Sequence, residues 1–182
     1  MAESLRSIID QTKTINDIDL KNKSFSNETI SSGTLACSNF QNVSFININF
    51  ENISLSESFF SNCFFQNCNF NNTRATNSHY NGCTFDCCYL KDVNLKETIF
   101  NKCGFIKSSI HKGENGILTN SSFESCHFNE TTFKDFDIIS MMASLIIDCQ
   151  FSKHNKMIEF KGYFGLNDLL LPKNGILDAF EF

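Results

Sequence analysis

Nine cysteines and four histidines are the side chains of this 182-residue chain best suited to chemistry. Thiolates and imidazoles build tetrahedral zinc sites, and a Cys or Ser beside a His makes a nucleophile with its base. The spacing argues for neither. Cys63 and Cys68, like Cys83 and Cys88, stand five positions apart, and no Cys-x-x-Cys occurs. Of His79, His111, His127 and His154, only His127 has acidic neighbours in the coil register, Glu124 and Glu130, and no nucleophile is marked beside it. Gly-x-Ser-x-Gly and phosphate-binding glycine loops are absent. Asn-x-Ser/Thr triplets such as Asn42-Val43-Ser44 follow from repeat composition. The chain is therefore expected to be no enzyme and to hold no metal or cofactor, with its thiols serving as small core residues.

The interval of five is the informative feature. Every fifth residue from Leu20 is apolar: Leu20, Phe25, Ile30, Leu35, Phe40, Phe45, Phe50, Leu55, Phe60, Phe65, Phe70, Ala75, Tyr80, Phe85, Leu90, Leu95, Phe100, Phe105 and Ile110. With 41% of residues hydrophobic, chance yields nineteen in a row about once in ten million trials or less. Five residues turn an α-helix by about 500°, which scatters the side chains around the cylinder. In a flat strand an odd period sends them to alternate faces. One face is buried only if the chain bends at each repeat.

Four repeats per coil sort these residues by type. Phe25, Phe45, Phe65, Phe85 and Phe105 form one column, while Leu35, Leu55, Ala75 and Leu95 form another. Such sorting is what close packing between stacked coils demands. The register slips by three at residues 111–117, then resumes at Leu118, Phe123, Phe128, Phe133, Ile138 and Ala143. A second slip, expected near 144–148, brings in Phe151, so the Phe column ends Phe105, Phe128, Phe151. Two residues before each centre stand small ones, among them Cys63, Cys68, Thr73, Ser78, Cys83, Cys88, Thr98, Cys103 and Cys126. The two following positions are polar and often Asn, which tolerates left-handed φ and suits a corner.

Cys68-Asn69-Phe70-Asn71-Asn72 and Val93-Asn94-Leu95-Lys96-Glu97 thus carry the pattern small, Asp/Asn, Leu/Phe, polar, polar. On these residues the chain resembles the pentapeptide-repeat family over roughly residues 18–153. Lys23 and Glu28, at small positions, depart from the pattern. The resemblance implies an all-β, right-handed quadrilateral β-helix of about seven coils.

Terminal coils of such a solenoid need covers. Residues 1–17 are expected to form a helical cap, since Leu5, Ile8 and Ile9 fall at helical spacing. Residues 18–153 form the β-helix, and residues 154–182 lack the fivefold pattern. This tail carries Leu166, Leu169, Leu170, Leu171, Ile176, Leu177 and Phe180, more apolar material than one coil end requires. It is expected to cap the rod and to form a homodimer interface.

Net charge is −5, which excludes a generic polyanion binder working by counterion release. No run approaches a membrane span of about 20 apolar residues. The N-terminus lacks a basic-then-apolar leader pattern, so a cytoplasmic protein with reduced thiols is expected, without direct nucleic-acid or membrane partners. Residues 91–112 hold two acids and five bases, whereas residues 113–152 hold six acids and one base. The acidic band comprises Glu114, Glu124, Glu130, Asp135, Asp137 and Asp148. Resemblance to the quinolone-resistance members of the family implies a DNA mimic that binds a type II topoisomerase, DNA gyrase, through such a band and the 111–117 loop. The alternative is a scaffold or effector that binds a protein partner without mimicry.

Overall fold

The computed structural model describes residues 4–11, 17–135, 144–147 and 149–151. They form a parallel β-solenoid whose chain bends after every fifth residue, so each coil has four walls. Wall one stacks the strands Asp19–Lys21, Asn39–Gln41, Phe59–Ser61, His79–Asn81, Ile99–Asn101, Ser122–Glu124 and Leu145–Ile147. These seven strands span six turns. Walls two and three form a second sheet, and wall four is held by short pairings such as Gly33–Thr34 with Ile53–Ser54. Partners stand twenty residues apart in the early coils, as in Phe65 with Phe85 and Leu90 with Ile110.

All nineteen residues of the fivefold series are buried, as are Leu118, Phe123, Phe128 and Phe133. Rings of one column lie face to face at the strand spacing, with Phe45 and Phe65 centroids 4.9 Å apart and Phe65 and Phe85 4.8 Å apart. Rings of adjacent walls meet edge-on, as Phe40 does Phe45. The Phe column is thus real from Phe25 to Phe128, and the backbone register extends it to Phe151.

Except at Ser32 and Lys112, the chain turns its corners at the second residue after a centre, where φ lies between 48° and 63° from Asn22 to Asp135. Asn supplies ten of these corners, and Asn67 donates its side-chain amide to Asn47, which donates to Asn27, in a ladder along one edge. The other corners include Glu57, Glu97, Lys102 and Lys107, which gain nothing locally from left-handed geometry. Each costs about 1 kcal/mol that stacking must offset.

The first slip behaves as expected: Ile99 pairs with Ser122 and Phe105 with Phe128, and the extra residues bulge outward with Glu114 and Asn115 exposed. The second differs. Phe123 pairs with Ile146 and Ser122 with Leu145, so a coil of twenty-three residues is already complete there. The extra residues therefore precede Ser144 and are not at 144–148, and Ile146 holds the wall-one position expected for Ala143. Fivefold counting cannot locate an insertion between two apolar residues that both suit a centre.

A helix, α1 (Leu5–Gln11), covers the first coil and buries Leu5, Ile8 and Ile9. Glu28, an oddity in the repeat, explains its seat: Oε1 accepts the Leu5 N–H and Oε2 the Arg6 N–H, both at 3.0 Å. A carboxylate at a helix start satisfies orphan donors and suits the local dipole. At Gly33 a Cβ would lie 2.8 Å from Ile9, so that glycine makes room for the helix. The C-terminal residues Leu166, Leu169, Leu170, Leu171, Ile176, Leu177 and Phe180 lie outside the described residues, as do Asp137, Ile138, Ala143 and Asp148.

Candidate functional site

The interior is occupied by packing, and the small inward residues do more than fill space. Cys83 Sγ donates to the Phe60 carbonyl at 3.4 Å, Ser78 Oγ to Leu55 at 2.7 Å and Thr98 Oγ1 to Ala75 at 2.6 Å. The rule recurs from Ser58 to Cys149, Val93 and Ser121 excepted: the small residue caps the carbonyl of an apolar centre in the coil below. A buried carbonyl oxygen left short of donors is costly, and these side chains supply one. Sequence reading treated these thiols as small hydrophobes and missed the donor; the exclusive use of Ser, Thr and Cys at many coils was the available signal. Burial pushes the Cys83 thiol and the Tyr80 phenol well up, so both stay protonated. No cluster of His, Cys, Asp or Glu suited to a metal ion exists among the described residues. No helix among them is long and apolar enough to cross a membrane.

Function must therefore be sought on outward rows. Wall one carries Asn39, Phe59, His79 and Ile99 in one line. Phe59 is 54% exposed and lies flat on His79, centroids 5.0 Å apart. Tyr89, 41% exposed, stands on wall three. Outward aromatics at these positions are not marked by the fivefold pattern, which reports only the inward face.

The described acidic residues do not share a face. Glu124 follows the wall-one centre Phe123, Glu130 forms the corner after wall two, and Asp135 forms the corner after wall three. Glu114 sits in the loop between walls three and four. The band therefore runs around the rod. Asp135 also accepts from His111 Nε2 at the base of the 111–117 loop. On the loop's other side, Asp92 Oδ1 accepts the Glu114 N–H at 2.5 Å and the Asn115 N–H at 2.8 Å. Gly116 N–H closes the turn on Lys112 O at 2.8 Å. A Cβ at Gly113, whose φ is 62°, would strike Asp92. The loop is thus pinned to the coils on both sides.

Below it, a groove of about 420 Å³ follows the edge between walls three and four. Asn52, Asn72 and Asp92 form its corner side, Ser54, Arg74 and Asn94 its wall-four side, and Asn115 closes one end. Asn72 donates to Asn52 at 2.6 Å, and Asn94 Oδ1 accepts the Lys96 N–H at 3.1 Å.

Square coils, left-handed corners and inward Leu/Phe centres define a parallel β-solenoid of repeat modules. Residues 35–72 and 63–101 match the family model described as pentapeptide repeats, in eight copies, so this stretch of the solenoid is built of pentapeptide repeats. Proteins built of such repeats are generally structural or interaction modules. Among solved structures, a trypsin-treated form of QnrB1, a plasmid-mediated fluoroquinolone resistance protein, aligns at 16% identity and TM-score 0.39, covering 83% of this chain and 68% of that one. Rfr23 from the cyanobacterium Cyanothece 51142 aligns at 11% identity and TM-score 0.35, covering 79% and 87%. HetL, involved in heterocyst differentiation regulation in the cyanobacterium Nostoc sp. strain PCC 7120, aligns at 9% and 0.24, covering 95% and 99%. Comparison with curated protein sequences finds no match.

Proposed function

We propose that this chain is a non-enzymatic protein-interaction module that presents rows of side chains on a rigid rod to a protein partner. The observation that carries the reading is the exposed Phe59–His79 stack on wall one. An aromatic ring held flat in water contributes little to the fold, but it enters an interface already ordered, with little entropy left to lose. The surrounding wall is polar and its backbone is fixed by sheet pairing on both sides, so a partner meets a preorganised surface. The rod is proposed to work in the cytoplasm as a homodimer joined through residues 154–182.

A DNA mimic that binds DNA gyrase and protects it from quinolones is the finer form of this reading. It rests on the resemblance to quinolone-resistance members and on the acidic residues. Distribution of Glu114, Glu124, Glu130 and Asp135 over a loop, a wall and two corners favours recognition of a protein through side-chain rows over imitation of a uniformly charged duplex. The two forms separate experimentally. A mimic inhibits or protects gyrase supercoiling, with an effect that weakens steeply as salt rises. A module without mimicry leaves supercoiling unchanged and captures a partner whose binding falls on Phe59→Ser. Capture unaffected by Phe59→Ser overturns the assignment to wall one.

A further inference from the structure

We propose that the groove along the edge between walls three and four binds an acidic peptide segment of a partner protein, with a carboxylate of that segment forked on Arg74. The inference rests on the reading of the rod as an interaction module and places a second contact on a different face from Phe59.

Arg74 is one of only two arginines in the chain, and the other, Arg6, is paired with Asp10 within α1. The Arg74 backbone bridges Ser54 on one side and Asn94 on the other, so the side chain starts from a fixed point on wall four. Arg74 lines the groove and is exposed, and its side chain has no hydrogen-bond or ion-pair partner among the described residues. A planar fork of this kind matches a carboxylate with two parallel hydrogen bonds. Asn94, whose oxygen accepts the Lys96 N–H, lines the same space, and Asn72 and Asn52, hydrogen-bonded to each other, add amide groups along the corner. Amides of this type serve peptide carbonyls and N–H groups equally well.

Charge supports the same class of ligand. The chain as a whole is acidic, but the coil of residues 91–112 holds five bases against two acids, and two of those bases, Lys91 and Lys112, lie at the groove's edge. Lys91 stands on wall three beside the corner residue Asp92, and Lys112 follows one coil above Asp92. An acidic segment is attracted to Arg74, Lys91 and Lys112 while the acidic parts of the rod repel it, which orients the partner on approach.

Other ligands fit less well. No aromatic ring lines the groove, so it offers no platform for a nucleobase. Asp92 lines the same space, and its charge opposes a contiguous run of phosphates more than a segment whose carboxylates are spaced by neutral residues. The loop N–H groups of Glu114 and Asn115, which could have cradled a phosphate, are already spent on Asp92.

The test uses the full chain and three labelled probes followed by fluorescence anisotropy: a peptide of alternating Glu and Ser, its Lys-for-Glu counterpart, and an oligothymidylate. The expected result is binding of the Glu peptide alone, weakened about tenfold or more by Arg74→Gln. Lys102→Gln, at the diagonally opposite corner, is expected to leave binding within about twofold. Both positions are exposed, and circular dichroism confirms that each variant is folded. Failure of the Glu peptide to bind, equal losses in the two variants, or binding of oligothymidylate in its place overturns the proposal. If the peptide fails while Phe59→Ser still abolishes partner capture, the groove is wrong and the module stands. If capture is also insensitive to Phe59→Ser, both are wrong.

Discussion

Phe85 lies flat against Phe105, with ring centroids 4.8 Å apart and planes 4° from parallel. Aromatic pairs left to themselves favour offset or edge-on contact. Here the spacing between paired strands dictates the separation, and the edge-on component comes from Phe100 on the neighbouring wall. Each ring is therefore held by the column above and below and by the next column at the side.

Removing one ring opens a hole that the sheet backbone cannot close. Phe85→Ala is expected to destabilise the fold by about 3–5 kcal/mol in denaturant melts. A loss under about 1 kcal/mol would contradict the packing described here.

Corners occupied by residues other than Asn or Gly store strain. Glu57 has a φ of 58° and lies one coil below Asn77. Glu57→Asn is expected to raise stability by about 0.5–1 kcal/mol, through easier left-handed geometry and a new amide contact to Asn77. The opposite exchange, Asn67→Val, should cost more than that, because it adds a β-branched side chain at φ 50° and breaks the ladder to Asn47. Equal stabilities for these two variants would mean that corner conformation is not what selects Asn.

Thiol reactivity should follow position in the repeat. Cys37 and Cys87 sit at exposed corners, six other cysteines are buried, and Cys149 is half-buried. Under native conditions a small thiol reagent should label Cys37 and Cys87 quickly, with Cys149 slower. The buried group should react only as the coils open. Fast native labelling of Cys83 or Cys103 would place those side chains on the outside.

On one side the 111–117 loop is held by a single carboxylate oxygen, Asp92 Oδ1. In Asp92→Ala the Glu114 and Asn115 N–H groups lose their acceptor and turn to water. The expected cost is about 0.5–1.5 kcal/mol, because the loop is exposed. Amide exchange at Glu114 and Asn115 should rise while the Phe105 and Phe128 amides stay protected. Unchanged exchange in the loop would assign its order to other contacts.

The C-terminal segment is testable by truncation. Deleting residues 164–182 should convert dimers to monomers or aggregates by light scattering, since Leu166, Leu169, Leu170, Leu171, Ile176, Leu177 and Phe180 go with it. A dimer that persists moves the interface to another part of the rod.

The inward half of this protein was legible in one dimension. Burial demands the same residue class at every fifth position, so Leu20 through Ile110 announce the coil, and the twenty-residue sorting of Phe against Leu announces four walls. The left-handed corners were legible too, because Asn is enriched where φ must be positive. Pattern failed where its elements became ambiguous: Ala143 and Ile146 both suit an inward centre, and only the pairing of Phe123 with Ile146 places the second insertion before Ser144. Glu28 looked like a flaw in the repeat until α1 was seen seated on its carboxylate. The outward surface was decided by tertiary structure alone. Water tolerates many residues at each outward position, so no periodicity marks Asn52, Arg74, Asp92 or Asn115. They become one groove only when successive coils stack and the loop is folded back over them.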